Sequence, residues 1–578
     1  MATGIVREYI GARYVPKFFE NENGTPEWAP NVQYEPLTIV TYNMNSYTSK
    51  KPVPASVGNP SDNPTYWAST GNYNAQVEAY RQEVVQFKND ILEQIGTVSP
   101  MDYGAVGDGI TDDSAAVQAA GADGVVFDPD HVYYIGEHII LVYGAKDTEF
   151  YLEKDAYIES TSGKAMYTGC KFRKNPAELA DGTRGEWSLI VRNQKPINIS
   201  HNEFYNVVSA LYVQNCSGII EGNYFHDIPQ TTANAGGNGY GVLLIACDGI
   251  SICGNLFKDV ARHEIYLSID DTPSVRNRNI HIVNNTFRRT SSVQGSTTGF
   301  ETSIMCRPAV NVNIQGNIFD GVQSVFTDTM QITGDAAYAV GCENITIDSN
   351  IINNAYNSVR STDGIFIFVA HVTEYTGYVA TNVAVTNNLL TNIRLNTNSI
   401  GKMQSVDGLV FARNKAINSQ FYFGFNQVDV VDFKNITIED NDLGTITSAF
   451  WRNSSGTGTN VGYFRMNRNR INASVLMEWV ENIVFDEFTF RDNVIECEYT
   501  TLYTRGMTLN KISIGGNSIN RKLAWTVTAA ADQWYDYDNS FSPLASGTYP
   551  NMRRGAVLAL SDNTIGIVQN NGSLKIIS

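Results

Sequence analysis

The sequence predicts an all-β protein: a right-handed parallel β-helix with a small N-terminal β module, a short linker helix and a C-terminal β cap. The first observation is a repeated unit between Ile197 and Ile519, a short alternating run followed by asparagine and a closing apolar residue. It reads Ile197-Asn-Ile-Ser-His-Asn202-Glu-Phe204, Gly218-Ile-Ile-Glu-Gly-Asn223-Tyr-Phe225 and Gly249-Ile-Ser-Ile-Cys-Gly-Asn255-Leu-Phe257. It continues at Asn279-Ile-His-Ile-Val-Asn-Asn285-Thr-Phe287 and Asn311-Val-Asn-Ile-Gln-Gly-Asn317-Ile-Phe319, with looser copies at Asn350, Asn388, Asn414, Asn441, Asn469, Asn493 and Asn517. The second is the spacing of these asparagines: 21, 32, 30, 32, 33, 38, 26, 27, 28, 24 and 24 residues. Such a period belongs to stacked supersecondary units; propeller blades need about 40–50 residues each, and the leucine framework of leucine-rich repeats is missing. The third is the alternation itself, which gives each strand one inward face that a lone unit cannot bury, so the units must stack. An asparagine after each strand suits a tight corner, because it tolerates left-handed backbone and bonds nearby backbone groups. Stacked coils align such amides into a ladder.

Composition narrows the partners. The chain has 578 residues and a net charge of −18, and an acidic surface argues against nucleic acid and against an anionic membrane. No apolar run approaches the roughly 18 residues of a membrane span, and Met1-Ala-Thr-Gly-Ile-Val-Arg7 has no apolar region of a secretion signal. The seven cysteines are scattered singly, and Cys216, Cys247, Cys253 and Cys306 fall inside the repeats, where they read as small core residues. The histidines have no ligand spacing, so neither metal nor cofactor is invoked.

Residues 1–70 form a small unit. Pro30 to Ser49 reads as two short strands around an Asn/Ser turn, followed by a Pro/Ser/Asn stretch and Trp67. Over about forty residues this resembles small carbohydrate-binding modules of the chitin-binding type, which implies sugar stacking by Trp28 or Trp67; in so small a unit, tryptophans also serve as core. Residues 71–98 switch to helical period, with Val77, Tyr80, Val84, Phe87 and Ile91 on one seam. A short coiled coil joining the domains of a trimer fits them, as does a helix lying on the β-helix. Met101-Asp-Tyr-Gly-Ala-Val-Gly-Asp108-Gly-Ile-Thr-Asp112-Asp113-Ser resembles the opening signature of the pectate-lyase-like β-helix superfamily. The resemblance implies a glycine turn and a capping helix over 114–120 at the start of a β-helix spanning 99–520. Those three aspartates therefore belong to the fold and carry no catalytic role. Residues 521–578 form the cap, ending in a hairpin whose Asn571-Gly572 turn joins Ile565–Val568 to Leu574–Ile577.

The order of anchor, helix, capping motif, β-helix and cap resembles bacteriophage tail spike and appendage proteins, with the N-terminal segment most similar to phages and prophages of Gram-positive hosts. The resemblance implies a homotrimer on the virion, outside the cell, held to other tail proteins by the N-terminal module and acting on a host cell-surface polysaccharide or teichoic acid. Catalytic residues vary among such proteins, so candidates come from the repeats. The plant polygalacturonase motifs are missing, and a secreted pectate lyase does not fit the N-terminus.

The densest polar run is Asp259-Val-Ala-Arg262-His263-Glu264-Ile-Tyr266-Leu-Ser268-Ile-Asp270-Asp271. His-x-Ile-Tyr-Leu-Ser is similar to a run in many β-helix carbohydrate enzymes, usually with glycine where Glu264 stands here. Alternation puts Ile265 and Leu267 inward, and Glu264, Tyr266 and Ser268 on the outer face with Arg262. Counted from the ladder asparagines, Asp271 and Glu301 each lie sixteen residues on. Turns of equal length would stack them about 4.8 Å apart on neighbouring coils, as an acid and a base for glycoside hydrolysis. His263 can act as base or acid, and Arg262 or Arg307 can hold an anionic group. Asp328, Asp363 and Asp227 are further acids. Tyr240, Tyr266, Trp451 and Tyr463 can stack on sugars, and the loop 453–460 after Trp451 can rim a groove. A lyase pairing Arg262 with His263, and a receptor that binds without cutting, stay open beside the hydrolase. Asp270-Asp271 as a plain solvated turn stays open too.

Overall fold

A computed structural model describes residues 17–20, 25–43, 45–71, 98–123, 126–161, 165–175, 186–229, 238–269, 275–290, 303–321, 330–333, 341–354, 356–357, 367–370, 380–392, 394–395, 401–403, 406–418, 423–424, 433–452, 461–481, 484–497, 502–519, 523–529, 533–537, 557–559, 565–568 and 574–577. They fall into two compact units, Met1–Gly96 and Thr97–Ser578. The linker helix expected over 71–98 lies almost wholly outside the described residues.

The first unit holds a four-stranded sheet of Lys17–Phe18, Thr38–Tyr42, Asn45–Ser49 and Trp67–Gly71. The expected hairpin is its antiparallel centre, with Val40 opposite Tyr47. Tyr34, Val40, Tyr47, Val53 and Trp67 make the core. Trp67 is 1% exposed, so core packing is its use. Trp28 is half-buried, edge-on to Tyr42 at 5.5 Å.

The second unit is a parallel β-helix. One coil runs through Ser209–Gln214 on face one, Gly218–Glu221 on face two and Tyr224–Ile228 on face three, and the next starts at Tyr240–Ile245. Each strand pairs in parallel with its counterparts one coil away: Leu211 with Val242, Ile220 with Ile252 and Phe225 with Phe257. The closing phenylalanine of each repeat points into the tube. Phe172, Phe204, Phe225, Phe257, Phe287 and Phe319 form a column with centroids 4.5–5.1 Å apart and planes within 7° of parallel. Each such ring contributes roughly 1.5–3 kcal/mol by burial.

The asparagine ladder is continuous. From Asn202 to Asn493 each backbone N–H and each Nδ2 donates to Oδ1 of the next asparagine in line, ending at Asn517, at 2.8–3.1 Å. Each Nδ2 also donates to a strand carbonyl, as Asn317 does to Ile282 at 2.9 Å. All of these asparagines are at most 2% exposed. The corner differs in one detail from the expectation. The left-handed residue is the one before each ladder asparagine, from His201 at φ 56° to Gly516 at φ 66°. The asparagine itself stays in ordinary backbone, so its amide can lie along the tube axis and reach both neighbours.

At the start of the tube the helix Ser114–Asp123 covers the first coils. Asp113 accepts from the N–H groups of Val106 at 2.7 Å and Gly107 at 3.1 Å, and its carbonyl starts the helix by accepting from Val117. Asp108 closes its own turn onto Ile110 and Thr111. At the other end parallel pairing runs past residue 520: Leu523–Ala529 pairs with Leu502–Leu509, and Gln533–Tyr537 with Lys511–Gly515. That coil follows the last ladder asparagine and so lacks the repeat's signal. Val557–Ala559, Ile565–Val568 and Leu574–Ile577 make an antiparallel three-stranded sheet; the Asn571-Gly572 turn lies outside the described residues.

Candidate functional site

The outer side of face one carries the aromatic residues that a water-facing sheet would otherwise avoid. Along Ser209–Gln214 and His263–Ser268, Leu211, Val213, Ile265 and Leu267 are buried, which turns Tyr212 and Tyr266 outward. Tyr212, Leu243 and Tyr266 stand in register on three successive coils. At about 4.8 Å per coil, the two tyrosines are roughly 10 Å apart along the tube. Trp187, Ile190, Tyr240 and Leu243 pack into a cluster outside the core, flanked by half-buried Tyr157, Tyr212, Ile245 and Tyr266. Trp187 stacks on Tyr240 at 5.6 Å and 11°, and Tyr240 on Tyr266 at 5.9 Å and 25°.

Cations and one carboxylate border these rings. The Arg262 guanidinium lies 5.1 Å from the centre of Tyr240, and that of Arg192 lies 5.3 Å from Tyr212. His263 is only 3% exposed and stacks on Tyr240 at 5.6 Å. Glu159 is held by Arg192 on one oxygen and by His138 Nε2 at 2.9 Å on the other, with the His138 ring stacked 4.1 Å from Tyr157. Burial pushes the Tyr157 phenol above its usual range, and Glu159 and Glu186 add to that. The phenol is therefore neutral at ordinary pH and keeps its donor hydrogen. The face offers apolar rings, hydroxyl donors and two guanidinium groups, which suits the alternating C–H and O–H surface of a sugar.

The placement of Glu264 corrects the sequence-based expectation. It is not on the outer face with Tyr266: it is fully buried at the corner between faces three and one. Arg289, 1% exposed, binds it through Nε at 2.8 Å and Nη2 at 2.6 Å, and Nη2 also donates to Ser303 Oγ. The corner is tight there. A Cβ on Gly241, in the preceding coil, would fall 2.6 Å from the Glu264 carbonyl oxygen. Glu264 is thus half of a buried ion pair, out of reach of a polymer.

The equal turn lengths on which the stacking of Asp271 and Glu301 was expected do not hold. Phe257 pairs with Phe287 and Ile265 with Ile304, so the later turn is nine residues longer. Asp271 follows its face-one strand in the chain, whereas Glu301 precedes the next. Asp270, Asp271, Glu301, Asp328 and Asp363 themselves lie outside the described residues, as do the side chain of Trp451 and the loop 453–460. Arg307 is half-buried directly after the face-one strand Ile304–Cys306. Asp227 is exposed on face three, bonded to His226 Nδ1 at 2.7 Å. Tyr463 lies on face two, beneath Arg465.

Sequence reasoning missed Tyr157, Trp187, Tyr212, Arg192, Glu159 and His138. Aligning the strands Ser209-Ala-Leu-Tyr212, Tyr240-Gly-Val-Leu243 and His263-Glu-Ile-Tyr266 by their apolar alternation, rather than counting from the asparagines, brings part of the row together.

The sequence matches no protein-family profile and no curated protein. Among solved structures, a surface adhesin of Streptococcus pneumoniae, PfbA, superposes with a TM-score of 0.35 and 14% identity over 84% of this chain and 98% of its own. A mannuronan C-5 epimerase A-module of Azotobacter vinelandii gives 0.35 and 12% over 77% and 100%. The tailspike of Escherichia coli bacteriophage HK620 in complex with a hexasaccharide gives 0.41 and 12% over 84% and 90%. At these scores the likenesses carry no argument about function.

Proposed function

We propose that this protein is a phage tail spike or appendage protein that binds a host cell-surface polysaccharide or teichoic acid along face one of its β-helix. The observation that carries this reading is the pair of outward, half-buried rings Tyr212 and Tyr266, packed over the buried Trp187 and Tyr240 and bordered by Arg192 and Arg262. Rings of this kind can stack on sugars, and a chain lying along the tube would meet Tyr212 and, two coils on, Tyr266. Arg262, Arg307 and Tyr266 are substrate-binding residues in this reading, and Asp328 and Trp451 stay candidates on the sequence alone. The finer parts follow the sequence resemblance: a homotrimer joined by the linker helix, attachment to other tail proteins through residues 1–70, and a place on the virion outside the cell.

Cleavage is the second part of the proposal. Asp270, Asp271 and Glu301 are its carboxylate candidates and His263 its proton carrier, because the chain delivers these acids directly after and before face-one strands. A receptor that only binds uses the same rings without them. Purified protein incubated with host wall polymer separates the two, by polymer retained and reducing ends released. Wild type should retain the polymer, and Tyr212→Ala with Tyr266→Ala should weaken retention by roughly a hundredfold, as loss of two stacking rings at about 1–1.5 kcal/mol each predicts. Unchanged retention would remove face one as the site. Released ends lost in Glu301→Gln or Asp271→Asn support hydrolysis, and intact polymer supports binding alone.

A further inference from the structure

The outward column of face one does not begin at Tyr212. Strand pairing carries it back through Ile190 to Glu159, and forward through Leu243 to Tyr266. Ile190 and Leu243 are buried among their neighbours. Glu159, Tyr212 and Tyr266 therefore stand in phase on every second coil, about 10 Å apart. Glu159 is itself only 6% exposed, so what it offers a polymer is the pair of side chains it holds.

Those two side chains reach water. His138 Nε2 meets one Glu159 oxygen at 2.9 Å and Arg192 Nη1 donates to the other, while about a third of each of the His138 and Arg192 side chains is exposed. A buried carboxylate gripped from both sides fixes the direction of both partners. Among the described residues no protein group binds His138 Nδ1, and Arg192 commits only Nη1 to Glu159. The His138 ring lies on Tyr157, 4.1 Å between centres and 17° from parallel. Tyr157 packs against the same cluster as Tyr212 and Tyr266, and the Arg192 guanidinium reaches across to Tyr212. Rings and nitrogen-bound groups thus continue from Tyr212 toward the start of the tube. Arg192 and His138 are both already met by Glu159, and Glu186 also acts on the Tyr157 phenol. An acidic sugar would gain no fresh counter-ion here and would meet carboxylates, whereas hydroxyls and C–H faces suit these groups.

We propose that His138, Tyr157 and Arg192, set in place by Glu159, form a further subsite of face one that takes an uncharged sugar. The proposal rests on face one being the glycan site, and extends the contact to four coil steps, roughly 20 Å. The test uses the full-length protein and fragments of host wall polysaccharide, fractionated by length and by charge, with affinity read by calorimetry. Uncharged fragments long enough to reach from Tyr266 to Tyr157 should bind roughly tenfold more tightly than those spanning only Tyr212 and Tyr266, about 1.4 kcal/mol. His138→Ala and Tyr157→Ala should each remove most of that gain, with short-fragment affinity and the unfolding midpoint unchanged. A merely structural role would lower both lengths alike. Glu159→Gln, at the positioning residue, should likewise weaken the long fragments alone. No gain with length, variants that keep the gain, an equal gain for acidic fragments, or binding confined to acidic fragments overturns the proposal. Should Tyr212→Ala with Tyr266→Ala weaken every length while the His138 and Tyr157 variants weaken none, face one stands and this subsite falls. Should that double variant change no length, face one itself falls.

Discussion

Glu264 shows where alternation stops being a guide. Period-two reasoning places it beside Tyr266, but it is one residue from the start of its strand, where the chain is still turning the corner from face three. There the side chain meets Arg289 and Ser303 from the following coil, contacts that no local pattern announces. A buried pair of this kind is costly to break because the surviving charge loses its counter-ion. Glu264→Gln should therefore lower stability by about 3–5 kcal/mol in denaturant unfolding, while a polymer-binding assay on the folded fraction stays at the wild-type value. A variant as stable as wild type would show that the corner is open to water. The same corner holds a second tie, Thr290 bonded through its N–H and hydroxyl to Asp259 at 2.6 and 2.7 Å. The long turn leaving face three is thus fastened at its first residue and at Ser303.

Among the elements, the asparagine ladder was legible because it needs one residue type at one point of every coil. Its partners are equally fixed, so removing a rung strands groups on both sides. Asn317→Ala leaves the N–H and Nδ2 of Asn285 and the Ile282 carbonyl without the bonds they make now. At about 1–3 kcal/mol for each stranded buried group, the loss should be on the order of 3 kcal/mol or more. The exposed ladder offers a control of the same chemistry. Asn311, at φ 56°, donates to Asn279 in water, and Asn311→Ala should cost only the roughly 1–2 kcal/mol of forcing alanine into left-handed backbone. Denaturant midpoints compare them directly, and equal losses would deny the buried ladder its role. Turn lengths, by contrast, follow no rule that the repeat enforces. The nine extra residues between Phe287 and Ile304 are invisible to a count from Asn285, and they remove the equal-turn premise for stacking Asp271 on Glu301. The face-one rings come from strands twenty to thirty residues apart, so only the register of the whole sheet assembles them.

At the largest scale, the winding of the second unit into a tube turns distance along the chain into position along an axis. Strands pair almost wholly with the coil above and below, so stability is close to a sum over coils and their interfaces. Each outer face then becomes a long surface on which side chains recur about every 4.8 Å. The aromatic row on face one lies on such a surface, and it does not depend on the ladder that holds the tube together. The division of labour explains why the architecture could be read from Asn, Phe and alternation while the site could not. The inside repeats, and the outside is free to vary. The most direct measurement is a crystal structure of the protein soaked with a fragment of the host surface glycan. Sugar rings lying over Tyr212 and Tyr266 with the chain running along the tube axis are the predicted result; sugar bound elsewhere, with face one covered by a neighbouring subunit, would contradict it.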